Sequence, residues 1–327
     1  MQGTAAIETF HLSKSYGDLK AVDDLSFSVR EGEIFGLLGP NGAGKSTTLR
    51  ILITLLRPSG GRAVVCGCDV VAEADRVRRL IGYVPQERAI DRFLTGREHL
   101  QLLGALYHLS WDEAERRIRD LLKLVDLEAE ADRPAKTYSG GMKRKLDIAC
   151  GLLPSPKVLF LDEPTLGLDV QSRLRIWEYV KQLRKRGITV VMTTNYLDEA
   201  DQLCDRLSII DAGRIKALGS PAELKAGLGG DILSLSVGPA GLTRLESLAT
   251  SLKSVPAIKS VSTHATGLDV RVETPEKAVP AVLEAAGRLG CRIELIEYHR
   301  PRLDDVFIAH TGHAIKEEFP KSEEGAG

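Results

Sequence analysis

The run Gly39-Pro40-Asn41-Gly42-Ala43-Gly44-Lys45-Ser46-Thr47 has the types and spacing to hold a polyphosphate. It matches the pattern G-x-x-x-x-G-K-[ST]. Glycines let the backbone curl until successive N–H groups point inward at phosphate oxygens, and a following helix adds its N-terminal dipole. In such a loop Lys45 reaches the β- and γ-phosphates, and the Ser46 hydroxyl serves a magnesium ion. A second run, residues 157–164 (KVLFLDEP), is an apolar stretch that ends in two carboxylates. Unpaired buried charge is costly, so carboxylates closing such a stretch call for a chemical reason. Beside a phosphate loop, Asp162 is the expected Mg²⁺ carboxylate, and Glu163 is placed to orient or deprotonate an attacking water. These two runs predict a P-loop nucleotide triphosphatase.

The elements that must position those residues follow from the pattern. Apolar residues 34–39 form a strand running into the loop, and residues 47–56 a helix running out of it. Over the first ~225 residues short β-rich runs alternate with helical patterns, which predicts an α/β domain with a largely parallel sheet. Around residues 96–137 the rhythm stops, and apolar residues recur at helical spacing, so this reads as a helical insertion. Thr95 and Glu98 have the spacing of a capping box at its start. After Gly227, Gly229 and Gly230 the order becomes β-α-β-β-α-β, a ferredoxin-like unit over 231–313 with a closing helix at its end. Domains of 1–226 and 231–313 are expected, with a disordered polar tail over 314–327. The balance of 44 basic against 45 acidic residues leaves a net charge of -1, which gives no footprint for nucleic acid. No apolar run approaches the ~18 residues of a membrane span, and the first residues do not form a secretion signal, so a cytoplasmic location is expected. Five cysteines read as reduced thiols, with the Cys66/Cys68 pair belonging to a strand and its exit rather than to a metal site. His264, His299, His310 and His313 are scattered and form no ligand set.

Further markers resemble the ABC ATPases over residues 7–225. Tyr138-Ser139-Gly140-Gly141-Met142 is similar to the signature LSGGQ and precedes the Asp162 strand. The resemblance implies an RecA-like core with an antiparallel β subdomain and a helical subdomain. It also implies roles for particular residues. Tyr16 stacks on adenine, and Asn41, Gly42, Ala43, Gly44, Lys45, Ser46 and Thr47 hold the phosphates of ATP. Gln86 is the glutamine that senses the γ-phosphate and Mg²⁺ and couples to a membrane subunit, and Asp169 lies in the D-loop. Ser139, Gly140 and Gly141 close on nucleotide held by a second subunit, so two domains sandwich two ATPs. One P-loop and one signature per chain imply a homodimer or a similar paired partner. Two departures stand out: Tyr138 and Met142 replace Leu and Gln, and Asn195 occupies the position where a switch histidine is usual. Asparagine donates a neutral, shorter hydrogen bond, so slower turnover or heavier reliance on Glu163 is one expectation, and a tolerated amide is the other.

The signature region, residues 193–207 and the closing residues 300–313 are similar to ATPases of the daunorubicin-resistance type, and this resemblance runs over nearly the whole chain. It implies an ATPase subunit of an ABC-2 exporter of drugs, antibiotics or other amphipathic molecules, bound to a separate integral permease at the inner face of the membrane. For the C-terminal domain it leaves a dimer-stabilising or regulatory role. The rival is a soluble, non-transport ABC ATPase acting on a macromolecular complex. The single nucleotide domain and the lack of a coiled-coil or zinc insertion argue against its translation and repair forms, and no N-K-x-D motif supports a GTPase.

Overall fold

A computed structural model describes residues 5–87, 90–264 and 266–315. The expected tail falls almost wholly outside them. The chain forms two compact units that divide at Pro221/Ala222, the second ending at His313. Parallel sheets are buried on both faces, so their strands read as continuous apolar runs. Five strands of the first unit show this: β3 (Ile34–Leu38), β6 (Ile81–Val84), β7 (Val158–Asp162), β8 (Thr189–Thr194) and β9 (Arg206–Asp211). Every residue of β3, β7 and β8 is buried. Each fully buried aliphatic or aromatic side chain there contributes roughly 1.5–3 kcal/mol of transfer free energy. With the antiparallel edge β10 (Arg214–Gly219) they form one sheet in the order β10-β9-β3-β8-β7-β6. The register sets Asp162 opposite Thr193 and Leu38 opposite Thr194, which brings three strand ends to one edge of the sheet.

A second, antiparallel sheet has the order β2-β1-β4-β5, from β1 (Ala5–Tyr16), β2 (Leu19–Arg30), β4 (Gly60–Val65) and β5 (Cys68–Asp69). The strand β10 and the first half of β2 were not legible in the sequence: β10 alternates exposed Arg214, Lys216 and Leu218 with half-buried Ile215 and Ala217, and residues 19–24 of β2 bury only Val22. Helices α1 (Lys45–Leu52), α2 (Ala74–Leu80), α6 (Val170–Lys185) and α7 (Leu197–Leu203) belong to the same unit. The helical insertion carries α3 (Gly96–Leu106) and α4 (Trp111–Leu124), and α5 (Gly140–Leu152) follows it. Leu100, Ile118, Leu122, Tyr138 and Leu146 share the small core among these three helices. The capping box at Thr95 and Glu98 forms as the spacing predicts.

The second unit takes up α8 (Pro221–Leu228) from Ala222 onward, then β11 (Asp231–Val237), α9 (Pro239–Leu242), α10 (Leu245–Leu252), β12 (Ile258–His264), β13 (Gly267–Val272), α11 (Pro275–Arg288), β14 (Ile293–His299) and α12 (Leu303–Thr311). Its sheet has the antiparallel order β12-β13-β11-β14, which is the ferredoxin-like arrangement. One face packs Leu233, Leu235, Val270 and Val272 against Leu248, Leu252 and Val282 of α10 and α11. On β11, Ser234 donates to Asp269 at 2.6 Å, and His299 lies 3.8 Å from Asp305.

Candidate active site

The phosphate loop begins where β3 ends. The Gly39 N–H donates to Thr194 O at 3.3 Å, which ties the loop to the end of β8. Gly44 has φ +102°, and a Cβ there would stand 2.3 Å from Ala21 O, so only glycine fits the turn into α1. Lys45 opens that helix with its side chain buried, and its Nζ donates to Gly39 O at 2.7 Å and Pro40 O at 3.1 Å. It thus runs back along the loop it must serve. Burial holds the Lys45 ammonium below its usual pKa, while Glu163 draws it back up.

Glu163 sits one residue beyond β7 with φ +45°, the left-handed region a branched-free side chain enters only at a cost of about 1–2 kcal/mol. That turn aims its carboxylate into the loop. Oε1 lies 3.5 Å from Lys45 Nζ, and Oε2 accepts from Gln86 Nε2 at 3.0 Å. The Glu163 N–H donates to Thr193 Oγ1 at 2.9 Å. The same Thr193 hydroxyl donates to Asp162 Oδ1 at 2.5 Å, and Ser46 Oγ donates to that oxygen at 3.1 Å. Ser46, Asp162 and Gln86 therefore offer hydroxyl, carboxylate and amide oxygens at the mouth of one loop, a donor set of the kind that suits a small hard cation.

A cavity of about 440 Å³ is lined by Tyr16, Asn41, Gly42, Ala43, Gly44, Lys45, Ser46, Thr47, Gln86 and Glu163. Tyr16 stands half exposed at its rim, with Lys14 Nζ 5.4 Å from the ring centroid. Asn195 is almost wholly buried just past β8, and its Oδ1 has no hydrogen-bond partner among the described residues. Ser139, Gly140, Gly141 and Asp169 do not line this cavity. They form a second cluster: Ser139 Oγ caps α5 by accepting from Met142 N at 3.2 Å, and Asp169 caps α6 by accepting from Ser172 N at 2.9 Å. Ser172 Oγ, held by Asp169 at 2.7 Å, lies against Gly141, where a Cβ would meet it at 2.8 Å. The substitution of Tyr138 for leucine has a local account, since its hydroxyl donates to Glu130 O at 2.6 Å inside the helical core.

Three residues of the site were missed by sequence reasoning. Thr193 bridges Asp162 and Glu163, but as one of three threonines on β8 it carried no distinguishing signal in the sequence. Glu199 is fully buried and accepts from Thr165 Oγ1 at 2.7 Å and Trp177 Nε1 at 3.0 Å. Burial pushes its pKa up, against the hydrogen bonds from Thr194, Thr165 and Trp177. Arg144 is buried on α5, and its guanidinium donates to the carbonyls of Pro85, Asp162, Glu163 and Pro164. In the sequence it looks like one more solvated charge in KRK.

The family profile for the ABC transporter matches residues 22–166, and that for the ATP-binding protein DrrA1-3-like C-terminal domain matches 219–311. The chain is 45% identical over 316 residues to the daunorubicin/doxorubicin resistance ATP-binding protein DrrA of Streptomyces peucetius, covering 95% of this chain and 94% of that protein. It is 41% identical over 314 residues to the Nod factor export ATP-binding protein I of Sinorhizobium fredii (strain NBRC 101917 / NGR234), covering 95% and 88%. Among solved structures, a dimeric ATP-binding cassette in a post-hydrolysis state bound to ADP and Pi superposes with a TM-score of 0.59 at 28% identity, over 65% of this chain and 98% of that one. Loop, carboxylates and whole-length likeness agree: this chain is an ATP-hydrolysing ABC ATPase and belongs to the ABC transporter ATP-binding family, in its daunorubicin-resistance type.

Proposed function

We propose that this ATPase drives an ABC-2 exporter for a drug, antibiotic or other amphipathic molecule, working as a paired nucleotide domain on a separate permease at the inner face of the membrane. The observation that carries the catalytic part is the Glu163 carboxylate, suspended between Lys45 and Gln86 over the phosphate loop. Asn41 to Thr47 cradle the phosphates of ATP, and Tyr16 at the rim stacks on the adenine. When ATP arrives, its γ-phosphate takes the Lys45 ammonium, and the freed Glu163 oxygen accepts a proton from the attacking water. Asn195 donates its amide N–H to the phosphate that leaves. Ser46, Asp162 and Gln86 would hold Mg²⁺, which would supply positive charge against the phosphates. Ser139, Gly140, Gly141 and Asp169, which do not line the cavity over their own loop, serve the ATP of the second subunit.

The exporter reading is supported by whole-length likeness to proteins named for drug resistance and for Nod factor export. Among the described residues, no helix is long and apolar enough to cross a membrane. A permease docking face is supported by the helical insertion, where Leu102, Leu106, Tyr107 and Trp111 are exposed. Of these, Leu106 and Tyr107 line a groove of about 640 Å³ together with Arg78, Arg79, Leu109 and Arg117. Exposed apolar residues gathered beside charge mark interaction surfaces. The test is capture from detergent-solubilised native membranes with a tagged Glu163→Gln chain and ATP. Recovery of a polytopic membrane protein is expected, and its identity narrows the cargo. Recovery of soluble partners alone, from membranes shown intact, would favour a non-transport ATPase.

A further inference from the structure

Arg144 is a buried charge whose hydrogen bonds reach well beyond its own helix. It is 4% exposed and pairs with Asp147 on the same helix at 3.8 Å, but most of its fork is spent elsewhere. Its short contacts go to backbone carbonyls on two other segments. Nη1 donates to Pro85 O at 2.6 Å, Nε to Pro164 O at 2.8 Å, and Nη2 to Asp162 O at 3.0 Å and Glu163 O at 3.3 Å. Pro85 precedes Gln86, and the other three carbonyls flank the catalytic glutamate. One planar fork thus joins α5 to both arms of the hydrolytic apparatus, a span that the point charge of a lysine does not cover. Arg144 lies five residues after Ser139, which caps the same helix, so the cap and the fork are about 7.5 Å apart along a rigid rod.

The peptide of Glu163 is gripped from both sides. Its N–H is held by Thr193 and its carbonyl by Arg144, across a backbone turn at φ +45°. Side-chain direction at such a turn follows the backbone, so a shift of α5 re-aims the Glu163 carboxylate. We propose that Arg144 is a positioning residue that passes movement of the signature turn to Glu163 and Gln86 of the same chain, so that contact of Ser139 with the partner's nucleotide sets the base over this chain's own. This rests on the paired reading given above.

The test compares full-length Arg144→Lys, Ser139→Ala and their double variant with the parent, reading ATPase kinetics and the affinity for a fluorescent ATP analogue. Arg144→Lys should lower kcat about 10- to 100-fold, the cost of losing charge-assisted bonds. Nucleotide affinity should stay within about threefold, and the Hill coefficient should fall towards one. Because the two residues lie on one line of transmission, the double variant should be no slower than about twice the slower single. A kcat within twofold of the parent, a loss of affinity that matches the loss of rate, or fully multiplicative single effects would each overturn the proposal. Should Arg144→Lys not fold, Arg144→Gln, which keeps two N–H donors, takes its place under the same criteria. Glu163→Gln run alongside separates the two readings. If it and Ser139→Ala leave turnover intact, the site assignment itself fails; if they abolish it while Arg144→Lys does not, only the coupling fails.

Discussion

Asn195 puts an amide at the position where ABC ATPases usually carry a switch histidine. Its side chain is 2% exposed, and its carboxamide oxygen has no partner among the described residues. An unmet buried acceptor costs about 1–3 kcal/mol, which is tolerable where a ligand group or water completes it. Here the acceptor lies two residues from Thr193, whose hydroxyl fixes both Asp162 and Glu163. The amide supplies a neutral donor, whereas an imidazolium would supply charge to the phosphate as it leaves. Asn195→His is therefore expected to raise kcat by about 3- to 10-fold with KM for ATP little changed, the gain of about 1 kcal/mol from a neutral to a charge-assisted hydrogen bond. A steady-state rate that stays level or falls would mean that the amide does not limit turnover.

Among elements, Glu199 is the joint between α7, α6 and the segment leaving β7. Its carboxyl takes bonds from Trp177 on α6 and from Thr165, two residues past Glu163. Burial raises its pKa above the ordinary 4.5. The folded chain therefore keeps a proton that the unfolded chain releases once pH passes the ordinary value. With more protons bound in the folded state, stability falls as pH rises from there towards the raised value. Glu199→Gln removes the titration. Its melting temperature relative to the parent should climb by about 2 °C or more between pH 5 and pH 8, whatever offset the new amide introduces at pH 5. A difference that stays flat over that range would show Glu199 already ionised in the folded protein. Such joints explain how much was legible beforehand. Runs such as β7 and β8, the Thr95–Glu98 box and the ferredoxin-like order carry local patterns, so the fold and the residues lining the cavity over the phosphate loop could be read in advance. Thr193, Arg144 and Glu199 act through long-range contacts to backbone and to one another. Nothing in their neighbours' sequence separates them from a strand hydroxyl, a solvated arginine or a helix N-terminal acid.

At the scale of the whole molecule, one chain carries two residue clusters that do not meet, the two half-sites of the proposed pairing. The cavity over the phosphate loop is lined by residues up to Glu163, while Ser139, Gly141 and Asp169 gather at the starts of α5 and α6. If pairing is head to tail, each composite site takes its loop from one chain and its signature from the other. A chain with Lys45→Ala and a chain with Ser139→Arg, each also carrying Glu163→Gln to block turnover, then have complementary defects. Alone, each builds two damaged composite sites and should remain at 35.6 kDa with ATP and Mg²⁺ by light scattering. Mixed, they build one site with both lesions and one site with neither. The mixture should double in mass on adding ATP and hold about one nucleotide per pair, because nucleotide bound only by the paired state stabilises that state by mass action. A mixture that stays monomeric, or a single variant that pairs as readily as the mixture, would mean that the two half-sites of this chain do not complete each other across copies.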